Sequence, residues 1–249
     1  MKIISGTDFT EHAAIGSAVA AALAGKLREK LLLIHALPFE LIAMANEEQA
    51  DLIVTGTHQR HGLERIFQMS VSRALLRHAP VSVLVVPGNR EGLETPPASP
   101  RRVLAATDFS DAGNDAVRHA YSLLGAGGIV HLLHVTHPQA LPGGEFEHGV
   151  GTRESATRHA EHLQSCAARL RALVPADAST RGIITEVEVA EHRTPAAAIA
   201  QAAERVGADV VCLGTHGVPR VLTALSGSVA QKVMNRSHRP LLVVHAAQT

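Results

Sequence analysis

Short, unbroken apolar runs recur along the chain, among them Leu31-Leu32-Leu33-Ile34, Val83-Leu84-Val85-Val86, Val210-Val211-Cys212-Leu213 and Leu241-Leu242-Val243-Val244. A strand covered on both faces reads this way, because neither set of alternating side chains meets water. Longer stretches separate the runs, and turn residues mark their ends. The second half predicts strand Arg102–Ala106, a helix near Asp111–Leu124, strand Ile129–Val135, a loop holding Pro142-Gly143-Gly144 and a helix near Arg153–Leu173. It continues with strand Ile183–Val189, a helix near Pro195–Arg205, strand Asp209–Leu213, a helix near Gly227–Asn235 and strand Leu241–His245. Alternating strands and helices of these lengths predict a parallel sheet covered on both faces, which is a doubly wound α/β fold.

The same pattern occurs twice. Asp51-Leu52-Ile53-Val54-Thr55-Gly56-Thr57-His58 matches Asp209-Val210-Val211-Cys212-Leu213-Gly214-Thr215-His216, and Thr7-Asp8-Phe9-Thr10 matches Thr107-Asp108-Phe109-Ser110. The offset is 100 residues at Asp8 and 99 at Ile34, then jumps to 158, so the second copy holds 59 residues that the first lacks. An internal repeat of this length predicts two like domains, residues 1–88 and 101–249. Pro87 to Pro100, rich in glycine and proline, is the expected linker. The first domain lacks one helix and the third strand, both of which belong between Ile34-His35 and a helix near Phe39–Gln49. If the lost strand lies at a sheet edge, its absence uncovers a new edge without breaking the sheet's centre.

Only the second copy continues with glycines at Gly214, Gly217 and Gly227, followed by Ser228. The matching positions of the first copy are Gly56, Gln59, Met69 and Ser70, so two of the three glycines are replaced. A loop that holds phosphate presents inward-pointing N–H groups, and glycine permits both the close approach and the positive φ angles this needs. A helix beginning at Gly227-Ser228 adds unpaired N–H donors and a positive dipole end. Asp108, at the end of the first strand of that domain, falls on the same rim of the sheet.

Composition narrows the partners. Lys and Arg number 23 and Asp and Glu 23, so the footprint of a nucleic-acid or anionic-membrane binder is missing. No apolar run approaches the ~20 residues of a membrane span. Met1–Asp8 reads as a strand and turn, which leaves no cleavable targeting segment. Two cysteines, Cys166 and Cys212, make no disulfide framework and fit a reducing cytoplasm.

Neither the Walker nor the dinucleotide glycine fingerprint is present. Thr107-Asp108-Phe109-Ser110, Leu132-Leu133-His134-Val135, Gly214-Thr215-His216-Gly217 through Gly227-Ser228-Val229, and Arg239-Pro240-Leu241-Leu242-Val243-Val244 together resemble the universal stress protein family. The resemblance covers nearly all of both halves and implies a tandem member. It implies two open parallel sheets of the adenine nucleotide alpha hydrolase-like kind, with strand order 3-2-1-4-5, so that the strand missing from the first domain is an edge strand. It also implies ATP as ligand, with or without Mg²⁺. Adenosine would lie against Ala106, Thr107, Asp108 and Val135; the phosphates would lie against Gly214, His216, Gly217, Gly227, Ser228 and Val229. Arg220 would add a charge-assisted contact. Family members pair through their last strands, so Val81–Val86 is expected to meet Leu241–His245 within one chain, and a homodimer is a further arrangement.

Other constellations compete less well. His159, His162 and Cys166 share one helix face in a spacing suited to a metal, but the same helix is expected to bury Ala156, Ala160, Leu163, Ala167 and Leu170, which makes Cys166 a flanking packed residue. His131 and His134 face opposite sides of a strand and make no pair. Ser5-Gly6-Thr7-Asp8 faintly echoes a pyrophosphatase loop, without its second glycine. The expected activity is therefore nucleotide binding in a stress-response protein rather than turnover, with the first domain as pairing scaffold. The alternatives are a structural module whose exposed edge recruits a partner, and a slow ATP-hydrolysing or adenylating enzyme.

Overall fold

The computed structural model describes residues 2–7, 11–35, 37–57, 71–88, 100–138, 151–215 and 229–245. The first repeat runs β1 (Lys2–Gly6), α1 (Glu11–Leu27), β2 (Lys30–Ile34), α2 (Pro38–Glu47), β3 (Leu52–Thr57), α3 (Val71–His78) and β4 (Ser82–Pro87). The second runs β5 (Arg102–Ala106), α4 (Asp111–Leu123), β6 (Ile129–Thr136), α5 (Gly151–Ala172), β7 (Ile184–Glu191), α6 (Pro195–Arg205), β8 (Val210–Thr215), α7 (Val229–Met234) and β9 (Leu241–His245).

These strands form one sheet in the order β2-β1-β3-β4-β9-β8-β5-β6-β7. The second repeat thus has the order 3-2-1-4-5, and the first has the same order without its third strand. The chain passes from β2 straight into α2, and because the lost strand was an edge, only its own ladder is lost. Neighbouring strands are parallel except at the seam, where β4 lies antiparallel to β9, with Val83 opposite Val243, Leu84 opposite Leu242 and Val85 opposite Leu241.

The repeated aspartate has the same task in both copies. Asp51 accepts the Lys2 N–H at 2.7 Å, while Asp209 accepts those of Arg101 and Arg102 at 2.8 and 2.9 Å. Each aspartate therefore ties the start of its own strand to the start of the first strand beside it, where a ladder N–H would otherwise lack a partner.

Apolar side chains from alternate strand positions fill two cores. One lies under α2, α3, α6 and α7 and the other under α1, α4 and α5. Both contain residues of β4 and β9, so each core runs unbroken across the seam. Helix α5 departs from expectation. Ala156 and Ala160 are exposed, while Cys166 and Leu170 are buried, so Cys166 sits on the buried stripe rather than beside it. The reason lies in how far the helix reaches. His159 already meets Glu191, the last residue of β7, so the turn that holds Ala156 extends past the end of that strand.

Candidate functional site

Strand β5 lies between β6 and β8, with Ala106 level with both Leu133 and Leu213. The helix that follows β5, α4, packs on one face of the sheet, and the helix that follows β8, α7, packs on the other. Chains leaving adjacent strands toward opposite faces open a crevice at the strands' carboxyl ends, the usual ligand position in open α/β sheets. Ala106, Thr107 and Asp108 stand at the end of β5, Val135 near the end of β6 and Gly214 near the end of β8, so the fold brings these five to one rim. Val229 opens α7 and is 43% exposed. His216, Gly217, Arg220, Gly227 and Ser228 lie outside the described residues, as do Asp8, Gln59, Met69, Ser70 and the loop at Gly143-Gly144.

The loop from Thr107 to Ser110 is fixed by its own side chains. Thr107 is buried; its N–H donates to the Leu133 carbonyl at 3.0 Å, and its hydroxyl accepts the Phe109 N–H at 2.8 Å and donates to Asn114 Oδ1 at 3.2 Å. Asp108 is exposed, yet its Oδ1 accepts both the N–H and the hydroxyl of Ser110. Ser110 in turn caps α4, its Oγ accepting the Gly113 N–H at 3.2 Å. The carboxylate of Asp108 is thus held at the first turn of a helix before any ligand arrives.

Phe109 adopts φ +66°, a region costly for a side chain of its size, by roughly 1–3 kcal/mol. Two contacts to the ring hold it there. The His134 ring lies 4.4 Å away, centroid to centroid, and the Arg169 guanidinium lies 3.8 Å from the centroid. His134 Nδ1–H donates to the Thr107 carbonyl at 2.8 Å, which ties the end of β6 to the same loop. The Thr-Asp-Phe-Ser motif marked this loop in the sequence, but Arg169 and Asn114 carried no local signal.

Gly113 is required here, since a β-carbon on it would stand 2.7 Å from Thr107 Oγ1 and 2.8 Å from Asp108 Oδ1. Gly214 has a packing reason of its own. A β-carbon there would lie 2.2 Å from the carbonyl carbon and oxygen of Ala112 and 2.4 Å from the Gly113 nitrogen, so this glycine lets α4 lie directly on β8. In the first repeat a β-carbon on Gly16 of α1 would stand 2.8 Å from the Gly56 nitrogen, which is the same helix-on-strand approach. Packing therefore explains Gly214, while in the first repeat the glycine that the close approach requires is Gly16 on the helix.

A second difference escaped the sequence reading. In the first repeat the Gly56 carbonyl accepts the hydroxyls of Thr55 and Ser72, each at 3.1 Å, and both residues are buried. The counterparts in the second repeat are Leu213 and Ala230, which have no donor. Comparing Ser72 with Ala230 in the sequence would have exposed it.

The remaining candidates are accounted for by local structure. Gly6 admits Leu41, whose Cδ1 would be 2.8 Å from a β-carbon, so it needs no loop chemistry. His131 and His134 do face opposite sides. His131 is buried between Glu186 (3.1 Å) and Glu188 (2.6 Å), and Arg205 reaches both oxygens of Glu188 at 2.7 Å. Although burial opposes it, the Arg205 and His131 partners hold the Glu188 carboxyl below its ordinary pKa. Burial pushes the Cys212 thiol far above its ordinary range, which leaves it unreactive. His159 pairs with Glu191, and His162 meets Thr136 at 3.4 Å and Cys166 at 3.8 Å. Among the described residues no group of three or more His, Cys, Asp or Glu is placed to hold a metal ion, and no helix is long and apolar enough to cross a membrane.

The sheet order and the arrangement of helices on both faces define a doubly wound α/β protein. Residues 38–87 and 100–245 match the universal stress protein family, and the chain belongs to that family. Universal stress protein G of Shigella flexneri is 33% identical over 138 residues, covering 54% of this chain and 89% of its own length. The protein of the same name from Salmonella typhimurium matches with the same identity and coverage. The crystal structure of a universal stress protein from Archaeoglobus fulgidus superposes with a TM-score of 0.63 at 18% identity, covering 98% of this chain and 96% of that one, which shows a shared fold along the whole length.

Proposed function

We propose that this stress protein binds an adenine nucleotide, ATP, in the crevice beyond β5, β6 and β8, and that the first repeat serves as scaffold. Residues 1–88 and 101–249 form the two units. The observation that carries this reading is the contrast between the two crevices. In the first, the strand-end carbonyl of Gly56 is occupied by the chain's own hydroxyls, and Gln59 and Met69 replace glycines. In the second, Leu213 and Ala230 offer no such donors, and Asp108 is presented by a loop already fixed by Thr107, Ser110 and Asn114.

A prefixed loop suits a ligand because little ordering remains to be done on binding. Adenosine would contact Ala106, Thr107, Asp108 and Val135. The phosphates would contact Gly214, His216, Gly217, Gly227, Ser228 and Val229, with Arg220 supplying a charge, and Mg²⁺ would travel with the phosphates. Asp108 and His134 hold the loop by hydrogen bonds, and the activity proposed for it is binding rather than rapid turnover.

The test is to purify the full chain, denature it by heat and chromatograph the supernatant, before and after incubation with ATP, with and without Mg²⁺. About one adenine nucleotide per chain is expected. None under any condition would remove the reading, and two per chain would overturn the scaffold role of the first repeat.

A further inference from the structure

The two outer edges of the nine-stranded sheet are unlike. Edge strand β7 carries Glu186, Glu188 and Glu191, and charge along an edge is the usual protection against pairing with another chain. Edge strand β2, Lys-Leu-Leu-Leu-Ile, has one charge, Lys30, at its end. Its positions correspond to those of β6, where Val130, His131 and Leu132 are 0%, 6% and 0% exposed beside β7. Leu31 and Leu32 are only partly buried, and Leu33 is 54% exposed. Of the seven large apolar side chains exposed among the described residues, Leu27, Leu33, Leu37 and Phe39 fall within thirteen positions around this edge. The first repeat has lost the cover of this strand but kept the apolar side chains it covered.

We propose that the β2 edges of two copies of this chain pair antiparallel about a two-fold axis, joining their sheets into one. Backbone geometry fixes the register. The Ile34 carbonyl accepts the Thr7 N–H at 2.8 Å, so Ile34 and, two residues back, Leu32 direct their backbone groups toward β1. Those of Leu31 and Leu33 consequently point outward, where no strand lies among the described residues. Pairing centred on Leu32 sets Leu31 opposite Leu33 of the second copy, and these two residue pairs exchange four N–H to C=O hydrogen bonds. Lys30 then lies opposite Ile34, so no like charges face each other. A two-fold arrangement closes on itself, whereas β2 against β7 would be head-to-tail and open-ended. The inference is independent of the nucleotide site.

The mass of the full-length chain in solution, followed over a wide concentration range by light scattering, tests this. The wild type is expected at twice the chain mass, and Leu33→Lys, which places a charge against the partner's Leu31 position, at the chain mass with an unchanged circular dichroism spectrum. Leu32→Cys covers the case in which the lysine variant fails to fold. The residue on the axis forms a non-hydrogen-bonded pair with Cα atoms about 4.5 Å apart, within disulfide reach. Because both native cysteines are buried, oxidation should yield a reducible covalent dimer of this variant and none of the wild type. A wild type that stays at the chain mass, a dimer indifferent to Leu33→Lys that also gives no Leu32→Cys cross-link, or polymers that lengthen with concentration would each overturn the proposal.

Discussion

Gly214→Ala separates packing from ligand contact at the one motif glycine the structure describes. The added β-carbon would stand 2.2 Å from the carbonyl carbon and oxygen of Ala112 and 2.4 Å from the Gly113 nitrogen. Favourable carbon contacts lie near 3.5–4.0 Å, so α4 and β8 must separate by more than about 1 Å. Overpacking a core costs about 1–3 kcal/mol, sometimes more. The obstructing atoms are main chain, which cannot rotate aside, and the contact lies between two buried elements, so the expected cost is at the top of that range, about 3 kcal/mol. For a chain of this size each kcal/mol lowers the melting temperature by about 2–4 °C, which gives a drop of about 6–12 °C. Thermal and urea unfolding followed by circular dichroism would measure it, the urea midpoint falling at constant slope. A glycine kept only for phosphate contact predicts unchanged stability with weakened nucleotide binding. A melting temperature within about 2 °C of wild type would therefore refute the packing argument.

Two further outcomes follow. Gly217→Gln combined with Gly227→Met copies the first repeat's side chains into the second and is expected to abolish nucleotide retention while leaving the circular dichroism spectrum intact; retained affinity in a calorimetric titration would mean the phosphates lie elsewhere. Burial of His245 at the end of β9 holds its pKa below the ordinary 6.5, outweighing its hydrogen bonds to the backbone of Leu76 and Val81. The folded chain then binds fewer protons than the unfolded one between the two values, so this stabilising contribution is complete above pH 6.5 and declines as pH falls below it. His245→Gln should flatten the fall of melting temperature on the acid side of neutrality, and an unchanged profile would contradict the assignment.

The fold was legible where information is local. Strands such as Arg102–Ala106 and Leu241–His245 were readable because an apolar run between turn residues specifies a doubly covered strand, and Pro195 fixed the start of α6. The strand order came from the family resemblance, not from periodicity. Legibility failed where a partner is distant in sequence. The face of α5 was misread at Ala156 and Ala160 because nothing local says that the helix outruns its sheet. The backbone of Ala112 against Gly214, Arg169 over Phe109, and the hydroxyl of Ser72 on Gly56 are likewise contacts between elements. For the candidate site, Asp108 and Gly214 were readable from their places at strand ends and Ala106, Thr107 and Val135 came from the family resemblance, whereas the loop network around Thr107 was visible only in three dimensions.

The internal repeat gives a way to separate scaffold from site without any other sequence. Features shared by both copies have structural reasons in each. Asp51 and Asp209 tie the start of the neighbouring first strand, a helix lies close on Gly56 and Gly214, and Thr7 and Thr107 donate their N–H groups to the second strand at Ile34 and Leu133. The positions that differ include Gln59 against Gly217 and Met69 against Gly227, and the proposed ligand would supply the reason for these two. The first repeat has kept what its core requires, and it has kept Leu33 exposed as well. An exposed leucine on an edge strand is a liability that an edge charge would remove, and the proposed pairing with a second copy's β2 would cover it.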